Sequence, residues 1–263
     1  MTDGKSLLSF VIYLLIAVLG AALGSFFNVV IDRVPRGKSI VNPPSHCTEC
    51  GKQLPAWQNI PIYSYLAQKG RCKNCGAKIH WHHLVVELVT PLLFLILALL
   101  FGVENLAFWK FALMFGFLIP IFFIDAFHQL IPLVLSLPML GLGLILSFAQ
   151  SAFRFRDFFL VYFLPALMLF ILLYALALAW EKVFKKEGLG GGDVILIPAL
   201  AVYFGAVHIP FVILLASVLG MIYFLLFVRK ANQVFAFGPF LALAGVLWAL
   251  VGDVLLLSVG FGL

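Results

Sequence analysis

Charge is what this sequence has least of. Asp, Glu, Lys and Arg make up 11% of its 263 residues, against about 25% in a soluble domain. With 64% hydrophobic residues and a mean hydropathy of +1.14, the chain is an integral membrane protein rather than a soluble globule. Catalytic signatures are scarce too. No G-x-S-x-G, no Walker loop and no H-E-x-x-H occurs, which points away from the serine-hydrolase, P-loop and zincin chemistries. There is no internal repeat and no low-complexity tract. Cysteine is confined to four residues, all within one polar segment.

What is present is a series of apolar runs. The first, Leu7 to about Ile31, is roughly twice the 7–15 residues of a signal-peptide core, so it reads as a spanning helix. The residues 32–83 then form the one long polar segment, with eight Lys/Arg against two acids and many turn formers. Seven further runs follow, at about 84–101, 106–124, 130–149, 158–180, 194–207, 209–228 and 234–257. Most approach the ~20 residues that cross a bilayer. The run from Val194 is short and holds Pro198, which can bend a helix; short broken spans line cavities rather than face lipid. The expected fold is therefore all-α and polytopic, with about eight transmembrane helices. Its parts are a first helix (1–31), a small loop-rich domain with a short hairpin or two (32–83) and a seven-helix membrane domain (84–263).

Eight spans put both termini on one side. The opposite side then receives the Cys-rich segment, the turn 125–129, the loop 181–192 and the loop 229–232. Those loops hold 13 of the 17 Lys/Arg, leaving Lys5, Lys110, Arg154 and Arg156 elsewhere. The positive-inside rule makes the 13-residue side cytoplasmic. The basic excess thus reflects topology and anionic lipid rather than nucleic acid.

That topology gives two carboxylates a common depth. Asp125 closes one apolar run. Asp193 opens another, directly after Gly188-Leu189-Gly190-Gly191-Gly192. An ionisable residue at the rim of a membrane segment is expensive, so function is its default reading. Two close carboxylates share a proton, one acting as general base towards water while the other polarises a carbonyl. The bland reading is that each acid sits at a helix end in the headgroups, Asp193 being favoured there by capping and the macrodipole. The glycines at 190, 191 and 192 allow positive φ and close approach of another chain.

Cys47-x-x-Cys50 and Cys72-x-x-Cys75 are separated by 21 residues, just beyond the usual double-knuckle zinc spacing. Four thiolates would make a closed, structural Zn2+ site. Two disulfides or free thiols are the alternatives, the former disfavoured in a reducing cytoplasm. His80, His82 and His83 surround Trp81 and read as an interfacial belt, metal binding being the other possibility. Glu87 either pairs with a cation of the polar segment or faces the active-site cavity, and Asp253 reads as a solvated helix end.

With these residues in hand, the chain resembles the prepilin peptidases, or type IV leader peptidases. Leu23-Gly24-Ser25-Phe26-Phe27-Asn28 through Asp32-Arg33-Val34-Pro35 is similar to that family's N-terminal signature. Pro43-Pro44-Ser45-His46-Cys47, Asn59-Ile60-Pro61 and the second cysteine pair are similar to its zinc loop, and Val86-Glu87-Leu88 to its entry into the second helix. Ile124-Asp125 with Leu130-Ile131-Pro132, and Gly190-Gly191-Gly192-Asp193, resemble the segments bearing its two catalytic aspartates. Phe237-Gly238-Pro239-Phe240-Leu241 resembles its last-helix motif. Departures are Ile195, Leu133 and His82-His83-Leu84, where the family often has lysine, an acid and Arg-Tyr-Pro.

The resemblance implies a two-step enzyme of the bacterial inner membrane. An aspartic endopeptidase, with Asp125 and Asp193 catalytic and Gly190, Gly191 and Gly192 admitting substrate, cuts the basic leader from prepilins or pseudopilins of type IV pili or type II secretion. It implies N-methylation of the new N-terminus from S-adenosylmethionine, for which no glycine loop or contact residue is visible. It also implies Zn2+ on Cys47, Cys50, Cys72 and Cys75. The competing classes are a transporter or channel using its acids for ions, and an assembly factor docking through the cysteine domain.

Overall fold

The computed structural model describes residues 3–185, 190–227 and 236–258. Gly188, Lys186, Arg229 and Lys230 fall outside them, as does the side chain of Asp253. Among the described residues the chain is helical, and β pairing is limited to two isolated bridges. Contacts divide it into two compact units, 1–102 and 103–263.

The first unit contains α1 (Asp3–Arg33), the short α2 (Tyr63–Ala67) and α3 (Trp81–Phe101). α1 and α3 pack closely because α1 presents glycines where they meet. A Cβ at Gly20 would stand 2.6 Å from Pro91 Cα, and one at Gly24 2.9 Å from the Val86 carbonyl. Small residues of this kind let two membrane helices approach backbone to backbone. The polar segment between them forms three short helices, at 34–36, 56–59 and α2, and two tight antiparallel turns. Each turn closes on a single bridge, His46 with Gln53 and Arg71 with Lys78.

The second unit contains α4 (Leu106–His128), α5 (Leu133–Gln150), the short α6 (Phe155–Phe158), α7 (Leu164–Phe184), α8 (Asp193–Phe227) and α9 (Gly238–Ser258). Asn105 caps α4, its Oδ1 accepting from the Ala107 N–H at 2.9 Å. α4 ends at Gln129, whose left-handed backbone lets its N–H reach the Asp125 carbonyl.

Among the described residues six helices are long and apolar enough to cross a membrane, α6 and α7 counting as one through the π-helical turn 159–163. Their outer faces carry exposed Leu, Phe and Val, including Leu15 and Leu19 on α1 and Leu172 and Leu176 on α7. Such faces are stable in hydrocarbon. The chain is a polytopic membrane protein.

The expected sixth and seventh runs are two helices, 193–204 and 206–227, meeting at a kink at Gly205 (φ 72, ψ 178) and labelled together α8. Pro198 lies within continuous helix, and the interruption falls at the residue that tolerates a left-handed φ. The segment before the break has 12 residues, about 18 Å at 1.5 Å per residue, too short for a ~30 Å hydrocarbon core. It is instead the core of the unit: Leu196, Ala199, Leu200, Ala201 and Val202 are fully buried. Ser147 Oγ donates to the Val202 carbonyl at 2.6 Å, satisfying a backbone acceptor near the break.

α5 seats this core segment through Gly143. A Cβ there would lie 2.5 Å from the ring of Tyr203, whose hydroxyl donates to the Met139 carbonyl at 3.0 Å. Gly143→Val should therefore destabilise the fold by about 1–3 kcal/mol through overpacking, seen as a lower thermal midpoint in detergent. Gly141→Val, with nothing within 4 Å of its Cβ position, should leave the midpoint nearly unchanged. Equal shifts for the two would contradict the packing argument.

Candidate active site and metal module

Asp125 sits in the last turn of α4 and Asp193 is the first residue of α8, so both project from helix ends. Asp125 is 4% exposed and accepts a hydrogen bond from the Gly238 backbone N–H at the start of α9. Gly238 lies so close that a Cβ on it would collide with Asp125 Oδ2. Asp193 is near enough for the charge of Asp125 to act on it. Its Oδ1 is buried and has no hydrogen-bond partner among the described residues.

The turn 190–193 explains how the second acid is delivered. The Asp193 N–H donates to the Gly190 carbonyl at 2.9 Å and the Leu196 N–H to Gly192 at 2.9 Å, winding directly into the helix. Gly190, Gly191 and Gly192 do not use a left-handed φ, contrary to one reason for expecting glycine there. Their use is steric. A Cβ at Gly192 would overlap the Ile131 side chain, and one at Gly190 would stand 3.1 Å from Asp193 Oδ2. At Gly191 nothing among the described residues lies within 4 Å of a Cβ position.

Ile131, buried in the turn between α4 and α5, touches both Gly192 and the Gly238 position. It is the wedge around which the two acids converge. Sequence reasoning noted Ile131 and Gly238 only as parts of similar motifs. Their signal was a short turn, Gln129-Leu130-Ile131-Pro132, and a Gly-Pro pair opening a helix, which alone name no partner.

In the first unit the four cysteine sulfurs lie within 4.8 Å of one another. Cys47 Sγ and Cys75 Sγ are 3.9 Å apart. Tetrahedral Zn2+ with bonds of about 2.3 Å sets its sulfurs roughly 3.8 Å apart, so the donor set fits that ion. Each pair sits on a tight turn, Gly51 N–H to Cys47 carbonyl and Gly76 N–H to Cys72 carbonyl, both at 2.9 Å. Gly51 (φ 68) and Gly76 (φ 74) take the left-handed conformation those turns require. Backbone N–H groups of Cys75 and Asn74 pull the Cys72 thiol down to about 6, favouring the thiolate that binds metal.

Glu87, on α3, accepts from the Ile62 N–H at 2.7 Å and lines a cavity of 510 Å3 within the first unit. Trp81 is exposed, as a belt residue should be, whereas His82 is buried beside Asp32.

An all-helical membrane protein that converges two carboxyl groups and carries a four-cysteine module defines a narrow class. The chain belongs to the type IV leader peptidase family. Residues 112–225 match the model described by that name, and residues 18–101 match the bacterial peptidase A24 N-terminal domain. The chain is 33% identical over 265 residues to the prepilin leader peptidase/N-methyltransferase of Dichelobacter nodosus, covering 90% of this chain and 91% of that one. It is 35% identical over 263 residues to the protein of the same name from Pseudomonas aeruginosa, covering 90% and 89%. It is 36% identical over 253 residues to the type 4 prepilin-like proteins leader peptide-processing enzyme of Escherichia coli O78:H11, covering 88% and 91%. No solved structure matches the chain.

Proposed function

We propose that this protein is a membrane aspartic endopeptidase that removes the leader of prepilins or pseudopilins and then N-methylates the new terminus. Asp125 and Asp193 are its catalytic dyad. The observation that carries this reading is the convergence of two carboxyl groups on one buried turn, with an Asp193 oxygen unpartnered among the described residues.

The pair holds one proton. The carboxylate member takes a proton from a water, which attacks the scissile carbonyl carbon, while the carboxylic acid member protonates the carbonyl oxygen. Collapse of the tetrahedral intermediate breaks the C–N bond, and a returned proton lets the new amine leave. The Gly238 amide fixes Asp125 in position, and Gly190, Gly191 and Gly192 admit extended substrate backbone. The active site and residues 32–83 face the cytoplasm across the inner membrane, a sidedness supported by the eight Lys/Arg of residues 32–83.

S-adenosylmethionine would supply the methyl group in the second step. The first-unit cavity, 510 Å3, lies in the size range of cofactor sites. Residues 32–83 form a structural zinc module on Cys47, Cys50, Cys72 and Cys75, and with four sulfur ligands its metal has no open position for hydrolysis.

The test is incubation of purified protein with a prepilin in detergent, followed by mass measurement. Loss of the leader, then gain of one methyl on adding S-adenosylmethionine, is expected. An unchanged substrate mass would favour a transporter or scaffold. For the module, elemental analysis of the Cys47→Ser and Cys72→Ser variants should show loss of the zinc held by the sulfurs. Full retention in both would rule out sulfur ligation.

A further inference from the structure

The polar end of the first unit carries a second cluster of metal-ligating side chains. Asp32 lies in the last turn of α1, and His82 and His83 in the first turn of α3. Asp32 Oδ1 is 3.8 Å from His82 Nε2, and Asp32 Oδ2 is 3.4 Å from His83 Nε2. One ligand atom from each of the three lies within 4.8 Å of the others. We propose that Asp32, His82 and His83 bind a first-row divalent transition ion of the Zn2+, Co2+ or Ni2+ type, separate from the four-cysteine module.

The three donors are spaced as a ligand set, and Asp32 and His82 also interact directly through a side-chain hydrogen bond. Ligands about 2.0–2.1 Å from a tetrahedral ion stand roughly 3.3–3.4 Å apart, close to the observed spacings. Neutral imidazole is the metal-binding form, and imidazole with carboxylate suits transition ions rather than Mg2+ or Ca2+.

The scaffold holds these donors in place. His82 is 5% exposed. Asn28, one turn before Asp32 on α1, donates through Nδ2 to the His83 carbonyl at 3.0 Å. The close glycine contacts of α1 with α3 fix the two helix ends relative to each other. Asp32 and His83 line the 510 Å3 cavity, as does His80. Three protein ligands leave a fourth position, open towards that cavity for water or an oxygen or nitrogen ligand. The ion thus ties α1 to α3 at the cavity wall.

Co2+ binding to the full chain in detergent tests this. In the Cys47→Ser/Cys72→Ser background, one equivalent should bind with the weak visible bands of nitrogen and oxygen coordination and without thiolate charge transfer. Adding His83→Gln or Asp32→Asn should weaken that binding at least about 10–100-fold, the loss typical of even an outer-shell change. Unchanged affinity in those variants overturns the proposal, as does no binding to the cysteine variant. A second measurement keeps the cysteines intact and guards against misfolding of that background. After Zn2+ loading, the parent should hold one zinc more than His83→Gln, and equal contents overturn the proposal.

Discussion

Asp125→Asn and Asp193→Asn should each leave a prepilin at full length. The cleavage rate should fall at least about 10²–10⁴-fold, the range of a general acid or base. An amide neither takes a proton from water nor gives one to the carbonyl oxygen. Asparagine matches aspartate in shape, and in Asp125→Asn the side-chain carbonyl oxygen would still accept from the Gly238 N–H. Thermal midpoints should therefore stay near the parent value. The double variant should be about as slow as either single one, because groups that share one proton act as a unit and their losses do not add. Normal processing by either single variant would end the dyad proposal. Losses that multiply in the double variant would mean that the acids act independently.

Much of the fold was legible because hydrocarbon imposes one rule. Backbone polar groups must be satisfied within the segment, so an apolar run of the right length is a helix. The runs at α1, α3, α4 and α5 appear within a few residues of their expected bounds. The division of α8 into two helices was legible as the runs 194–207 and 209–228, but the residue at the kink was not. Proline announces a bend by removing an N–H, yet Pro198 sits in the first segment of α8 and Gly205 takes the non-helical backbone. A glycine's left-handed φ depends on its tertiary surroundings. Here Gly205 meets Val161 and Tyr162, distant in sequence. The acids were visible individually, as charges at the rims of apolar runs. Their convergence was expected from their common depth and the family resemblance, but what sets it was not visible, because it depends on Ile131 and on the start of α9, more than 40 residues beyond Asp193. The cluster at Asp32 was hidden for a similar reason. His82 and His83 looked like headgroup residues until α1 brought a carboxylate beside them.

Gly238 should be nearly as sensitive as the acids, although it has no side chain. Its N–H holds Asp125, and a methyl group in place of its hydrogen would collide with Oδ2 of the same carboxylate. Ile131 Cδ1, 2.9 Å from the same Cβ position, blocks escape in that direction. Asp125 itself must therefore move in Gly238→Ala. Misplacing a reacting group by about 1 Å costs on the order of 10²-fold in rate, so kcat for leader cleavage should fall by about that factor. KM should change little, since the lost geometry concerns the chemical step rather than substrate binding. Overpacking should add a stability cost of about 1–3 kcal/mol. The split between kcat and KM separates displacement of the acid from general damage, which would lower the amount of active enzyme without altering the turnover of the folded fraction. Active-site titration of Gly238→Ala measures that fraction. Parent-level kcat per titrated site would show that Asp125 does not depend on this amide for its position. A hundredfold loss per site would place the first turn of α9 within the catalytic apparatus, as the support that sets one of its two acids.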